Sequence, residues 1–327
     1  MSVNWGVIGC GTIMPSFLKA LASSQSSKIN GIASEYSQNS ISLAKEFNIP
    51  NCFKTYKELA QSSKIDIVYI ATTQNLHDEN ALLFLENGKA VLCEKPITYN
   101  SKRAFELISF AREKKLFLME GMWTRFLPAI VQVKKWLDAG LIGRINHVYA
   151  DFGFTNDWGP ERRLLNRNLC GGSLMDNGVY PISFASLVYG RQPDEIKTTS
   201  YIGPTGVDEI SSYLFKYGED QFAMLSSSIR LHTFQNATII GETGIIFLPE
   251  FWRCQKVIVY KNGEAPVTYS FPFLINGFEY EIEAVNSCLR NGKLECERMP
   301  LDESLAIIQT TDKIRQEWGL EFPFEHN

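Results

Sequence analysis

The stretch Gly6-Val7-Ile8-Gly9-Cys10-Gly11-Thr12-Ile13-Met14 decides how the amino-terminal half is read. It closes a β-rich run, Asn4 to Ile8, and leads into a helical pattern, Ser16 to Leu21. Gly9 and Gly11 fill the first two positions of a Gly-x-Gly-x-x-Gly fingerprint, and Met14 stands at the third. In a strand–turn–helix unit the first glycine permits the tight turn and the second lets the backbone approach a pyrophosphate. The third mainly sets helix–strand packing, so Met14 implies a looser fit rather than lost binding. The amides of Thr12 and Ile13, at the start of the helix, would then face the phosphates. A glycine-rich turn without function is the alternative; the position between first strand and first helix favours the phosphate reading.

Working outward, short β-rich runs recur at Ile29 to Ala33, Ile65 to Ala71, Ala90 to Cys93 and Phe117 to Met119. Helical patterns at Ser40 to Phe47, Leu76 to Leu85 and Lys102 to Lys114 alternate with them. Nearly continuous apolar strands alternating with helices predict a parallel sheet, a Rossmann-type doubly wound α/β domain over residues 1–122. Glu35 lies 24 residues after Gly11, at the end of the second strand. An acidic residue there accepts hydrogen bonds from an adenosine ribose, although a solvated loop carboxylate reads equally well. Glu94-Lys95-Pro96 follows the run Ala90 to Cys93, and a lysine at the carboxyl end of a parallel strand points toward the ligand crevice. Pro96 stops the strand and fixes the turn.

After residue 123 the rhythm changes. A helix from Leu127 to Ala139 precedes a strand, Ile145 to Phe154, and a second helix spans Ser173 to Tyr189. Strands dominate from Ile196 to Phe271, and two helices, Phe278 to Arg290 and Leu301 to Trp318, close the chain. Residues 123–327 therefore read as an α+β domain with a largely antiparallel open sheet. Tyr213, Leu214, Phe215 and Tyr217 put apolar side chains on both faces of one strand. The domain's own helices cover one face, and the other predicts a homodimer or higher homo-oligomer.

The formal charge of −4, from 32 basic and 36 acidic residues, lacks the footprint of a nucleic-acid binder. No apolar run reaches the roughly 18 residues of a membrane span, and the N-terminus has no basic, apolar leader. Seven cysteines without a Cys-x-x-Cys pair, and four histidines outside ligand spacing, predict reduced thiols, no metal and a cytoplasmic location.

The last motif is Gly171-Gly172-Ser173-Leu174-Met175-Asp176-Asn177-Gly178-Val179-Tyr180-Pro181. Asp176 and Tyr180, four apart, share a helix face. A tyrosine on an apolar helix is usually core, but the glycine pair and the carboxylate beside it point to a site. With the Gly-x-Gly turn and Glu94-Lys95-Pro96, this motif makes the whole chain resemble the Gfo/Idh/MocA oxidoreductase family. Met119-Glu120-Gly121-Met122-Trp123-Thr124-Arg125-Phe126 is most similar to the branch that holds dimeric dihydrodiol dehydrogenase and D-xylose dehydrogenases.

The resemblance implies an NAD(P)-dependent dehydrogenase or reductase acting on the CH–OH group of a sugar, polyol or dihydrodiol. Lys95 would contact the reacting hydroxyl and the nicotinamide ribose, with Glu94 beside it at the cofactor. Tyr180 would be the general acid/base, its ionised form favoured by a nearby ammonium. Asp176 would bind a substrate hydroxyl, while Trp123 and Arg125 would line the entrance to the pocket. Acidic Glu35 favours NAD, with NADP second. Two other readings stay open: a glycosidase using held NAD without net redox, and a dinucleotide- or sugar-sensing regulator that does no chemistry. A pure sensor need not keep both Lys95 and Tyr180.

Overall fold

The computed structural model describes residues 2–34, 37–155 and 159–326. The chain divides into two compact units, Met1–Phe126 with Phe273–Leu305, and Leu127–Pro272 with Ala306–Asn327.

The first unit carries six strands: β1 (Val3–Ile8), β2 (Ser27–Ala33), β3 (Cys52–Phe53), β4 (Ile67–Ile70), β5 (Ala90–Glu94) and β6 (Leu118–Gly121). They lie in the order β3-β2-β1-β4-β5-β6, and every pair is parallel. This is the doubly wound order expected, with its crevice where the chain reverses between β1 and β4, outside the carboxyl ends of the strands. All four residues of β4 are buried, as a strand covered on both faces requires. The helices are α1 (Met14–Ser23), α2 (Ser37–Glu46), α3 (Tyr56–Ala60), α4 (His77–Glu86) and α5 (Ser101–Lys114). The sequence periodicity does not reveal β3 and α3, which are too short to display a period. Phe17 of α1 stacks on Tyr69 of β4, ring centroids 3.5 Å apart, and meets Trp5 of β1 at 5.9 Å. That aromatic layer seats α1 directly behind the glycine turn.

The second unit is built on eight strands: β7 (Ile145–Gly153), β8 (Glu195–Ile202), β9 (Asp208–Tyr217), β10 (Gln221–Ser228), β11 (Ala237–Gly241), β12 (Gly244–Leu248), β13 (Lys256–Lys261) and β14 (Val267–Ser270). Their order is β14-β13-β12-β11-β7-β10-β9-β8, antiparallel throughout except for β7 beside β10. Helices α6 (Pro128–Asp138) and α7 (Val179–Tyr189) belong to it. Tyr189 of α7 stacks on Tyr217 of β9 at 4.1 Å and donates its hydroxyl to the Phe222 carbonyl at 2.6 Å. Along β9 the inward residues Tyr213, Phe215 and Tyr217 are buried, while Leu214 on the other face is 40% exposed.

Helix α8 (Phe278–Arg290) and the first turn of α9 (Leu301–Trp318) belong to the first unit. A single boundary after residue 122, with one continuous second domain, does not describe this division. The reason is packing. Phe278 sets its ring against Phe17 at 5.8 Å, and Asn286 accepts the Trp5 indole N–H at 3.0 Å. An amphipathic helix goes where its apolar stripe finds a partner, and no local sequence signal names that partner.

Candidate active site

At the end of β1, Gly9 adopts φ +79°, and a Cβ there would stand 2.2 Å from the carbonyl carbon of Ala71 at the end of β4. Only glycine fits such a left-handed turn pressed against backbone. Gly11 presents the opposite case: a Cβ there would meet no protein atom within 4 Å. Nothing in the protein requires glycine at this exposed position, which fits a backbone surface shaped for close approach by a ligand. Helix α1 starts at Met14 with proline in its first turn, no side-chain cap on Ile13 and no acidic residue near the terminus. Its leading N–H groups thus suit an anion. Met14 is fully buried in the core, so the third position of the fingerprint is a packing position here. Cys10, between the two glycines, points its thiol at the Ala33 carbonyl, and burial pushes it up to about 11. It is no thiolate nucleophile. Glu35 lies outside the described residues.

Glu94 and Lys95 leave the carboxyl end of β5 half-buried, and the Lys95–Pro96 peptide is cis. Glu94 accepts the Tyr69 hydroxyl at 2.6 Å and the Lys95 amide at 3.3 Å. Beyond the turn, the Ile97 amide donates to Glu120 of β6 at 3.0 Å, and burial holds the Glu120 carboxyl above the usual range. His77, at the start of α4, places Nδ1 2.8 Å from the Pro96 carbonyl and Nε2 3.2 Å from the Thr72 carbonyl. Burial lowers its pKa, against the two carbonyls, which favour the protonated ring. It ties together the turns that follow β4 and β5. Trp123 and Arg125 follow β6, both 7% exposed. Trp123 stacks on Phe278 at 4.8 Å, and the Arg125 guanidinium pairs with Glu303 at 2.5 Å. The Gly-x-Gly turn and the Glu94-Lys95 turn are thus gathered at the carboxyl ends of β1 and β5. Arg125 is held in an ion pair inside the same unit.

In the second unit, the predicted helix from Ser173 opens as a single π-helical turn, Leu174–Gly178, before α7 begins. Pro181 has no N–H to return to the Asn177 carbonyl, and a widened turn upstream accommodates that loss. Asp176 accepts from Arg163 Nη1 at 2.7 Å. The Tyr180 ring, 8% exposed, meets the edge of Phe152 at 5.2 Å and of Trp252 at 6.4 Å. Phe152 and Trp252 stack on one another at 4.9 Å, and the Trp252 indole donates to Gln235 at 2.8 Å. The result is an aromatic wall around one phenol, with a carboxylate one turn earlier on its helix.

Sequence reasoning did not single out His77, Phe152, Arg163, Asn177 or Trp252. Only Asn177 had a signal, its place inside the second glycine motif. The others come from distant strands and loops whose register the sequence does not display. Among the described residues no group of His, Cys, Asp and Glu side chains is arranged to hold a metal, and no helix is long and apolar enough to cross a membrane.

Residues 3–122 match the oxidoreductase family with an NAD-binding Rossmann fold, and residues 130–247 match the GFO/IDH/MocA C-terminal domain. Trans-1,2-dihydrobenzene-1,2-diol dehydrogenase of Mus musculus is 33% identical over 333 residues, 99% of each chain. A 3-ketoreductase from Actinomadura kijaniata, solved with NADP and TDP-benzene, is 25% identical with TM-score 0.86 over 97% of this chain and 98% of that one. A levoglucosan dehydrogenase complexed with NADH and levoglucosan has the same fold, with TM-score 0.86 at 18% identity over 98% of each chain. The parallel six-stranded sheet, the glycine turn and these full-length relatives agree: the chain belongs to the Gfo/Idh/MocA family of NAD(P)-dependent oxidoreductases.

Proposed function

We propose that the protein moves a hydride between NAD(P) and a secondary alcohol or hemiacetal carbon of a sugar, polyol or dihydrodiol. The observation that carries this is the surroundings of Tyr180: a phenol among Phe152 and Trp252, with Asp176 four residues earlier in the turn that leads into its helix. Aromatic rings offer contact to the C–H face of a ring substrate, and a carboxylate accepts its hydroxyl protons. The diol dehydrogenase relatives act on a substrate of that chemistry, a cyclic vicinal diol.

Gly9, Gly11, Thr12, Ile13 and Glu94 would hold the cofactor, the backbone amides of the turn suiting its pyrophosphate. When bound, the cofactor would supply a nicotinamide ring able to accept a hydride or return it. Tyr180 takes or gives the proton on the hydroxyl oxygen. Lys95 hydrogen-bonds the same oxygen and steadies its developing charge. Asp176 orients a neighbouring hydroxyl, and Trp123 and Arg125 shape the approach to the pocket. Net production of reduced cofactor separates this reading from a glycosidase or a sensor. The test is a panel of aldoses, polyols and cyclic diols, followed by the absorbance of the reduced nicotinamide. Lys95→Ala and Tyr180→Phe should each lower turnover by roughly 10²-fold or more while cofactor affinity changes far less. Wild-type turnover in either variant would refute that residue's role.

The outer face of the second sheet supports a homodimer or higher homo-oligomer. Tyr149, Leu214 and Met224, on the neighbouring strands β7, β9 and β10, are 42%, 40% and 49% exposed. A contiguous apolar patch on a sheet face marks an interaction surface. A reducing, cytoplasmic setting agrees with seven cysteines, six of them buried.

A further inference from the structure

We propose that Asp208 is a positioning residue for this reaction, a carboxylate at the start of β9 that fixes the turn leading into α7 and, through it, the place of Tyr180. The inference rests on Tyr180 being the acid/base. Asp208 is 1% exposed, and its Oδ2 accepts three hydrogen bonds: from the Leu174 amide at 2.7 Å, the Ser173 hydroxyl at 2.9 Å and the Ser211 hydroxyl at 3.0 Å. Leu174 is the first residue of the π-helical turn. Leading amides of a helix have no partner within it, so an acceptor locked in the sheet determines where the turn begins.

The lock extends across two strands. Ser173 Oγ lies 2.9 Å from Ser227 Oγ, which lies 2.7 Å from the Tyr213 hydroxyl. The other carboxylate oxygen of Asp208 occupies the space that a side chain at residue 172 would take. Gly172 has φ +121°, and a Cβ there would stand 2.2 Å from Oδ1. In this chain the second glycine of the Gly171-Gly172 pair therefore makes room for Asp208. Farther along the turn, Asn177 Nδ2 donates to the carbonyls of Phe152 at 2.7 Å and Ser228 at 2.8 Å. Both ends of a non-α turn are thus tied to the sheet, and Tyr180 follows two residues later. Misplacing a catalytic group by about 1 Å costs roughly 10²-fold in rate, so these ties bear on chemistry as well as on folding.

The test is a kinetic cycle on the full-length enzyme with Asp208→Ala, Asp208→Asn, Tyr180→Phe and the double variant Asp208→Ala/Tyr180→Phe. Asp208→Ala should lower turnover by roughly 10²-fold with NADH affinity unchanged. Asp208→Asn, which keeps an acceptor oxygen for the three donors, should recover most of that loss. In the Tyr180→Phe background, Asp208→Ala should lower turnover little further, since it acts through a group already removed. Wild-type turnover in Asp208→Ala would overturn the proposal, and so would an undiminished loss in the Tyr180→Phe background. Wild-type turnover in Tyr180→Phe alone would refute the acid/base assignment, and with it what Asp208 positions. Should Asp208→Ala fail to fold, Ser173→Ala, which deletes one of the three donors and the link to Ser227, takes its place in the same cycle. A loss of turnover abolished by Tyr180→Phe supports the proposal, and wild-type turnover refutes it.

Discussion

Substituting alanine at Gly9 and at Gly11 should give opposite outcomes, although the two glycines are separated by one residue. At Gly9, φ +79° is left-handed, which costs an L-residue about 1–2 kcal/mol. The new Cβ would also stand 2.2 to 2.4 Å from three backbone atoms of Ala71 and Thr72, forcing the ends of β1 and β4 apart. Overpacking of that kind adds about 1–3 kcal/mol. Gly9→Ala should therefore lose roughly 2–5 kcal/mol, a drop of several degrees in melting temperature without cofactor. At Gly11 the Cβ meets nothing within 4 Å, and the backbone is not left-handed. Gly11→Ala should hold the apoprotein's melting temperature or raise it slightly, by the unfolded-state entropy worth about 0.4–1 kcal/mol. Its cost should fall on the cofactor. Losing one charge-assisted contact between amide and phosphate is worth about 1.5–3 kcal/mol, or roughly 10- to 150-fold in the Kd for NADH. Thermal melts of the apoproteins and titration calorimetry with NADH measure both quantities. Wild-type NADH affinity in Gly11→Ala would refute the close approach of the pyrophosphate, and an unchanged melt in Gly9→Ala would refute the packing argument.

Three further outcomes follow from particular residues. Burial pushes the Asp208 carboxyl up to about 6 from 3.8, against the opposing hydrogen bonds from Leu174, Ser173 and Ser211. The native state therefore holds this proton more tightly than the unfolded chain, and the stability it confers is present at low pH and lost as pH rises through about 6. Relative to Asp208→Asn, the wild type should lose about 1 kcal/mol between about pH 5 and about pH 7 in urea melts; a flat difference would mean the carboxylate stays ionised. Glu35 should favour NADH over NADPH by roughly 5- to 30-fold, and Glu35→Arg should reverse the order of the two dissociation constants. Tighter NADPH binding by the wild type, unmoved by the substitution, would leave Glu35 facing water. If the outer sheet face joins copies of the chain as proposed, Leu214→Asp with Met224→Asp should lower the mass in light scattering to that of a monomer while the melting temperature holds. An unchanged mass would move the interface elsewhere.

The site was legible in part. Gly9, Gly11 and Lys95 could be placed because a strand end and a glycine turn are local features, and the sheet order then puts them at one edge. Tyr180 and Asp176 stood out together because one glycine-rich motif carries both, four residues apart. Arg125 shows the limit. Its place after β6 is local, but the partner that engages its guanidinium, Glu303, lies 178 residues later.

By itself, the sequence determined the alternation of strand and helix, the glycine turn and the change of architecture after residue 123. Each of these depends on periods of two or 3.6 residues and on backbone freedom, which neighbouring residues set. Tertiary structure alone decided that α8 returns to the first unit, and that Phe152 and Trp252 surround Tyr180. It also decided that Asp208 reaches back 34 residues to hold Leu174. Such partners are chosen by strand register and by which apolar faces meet, and a slip of one residue turns every side chain of a strand to the opposite face.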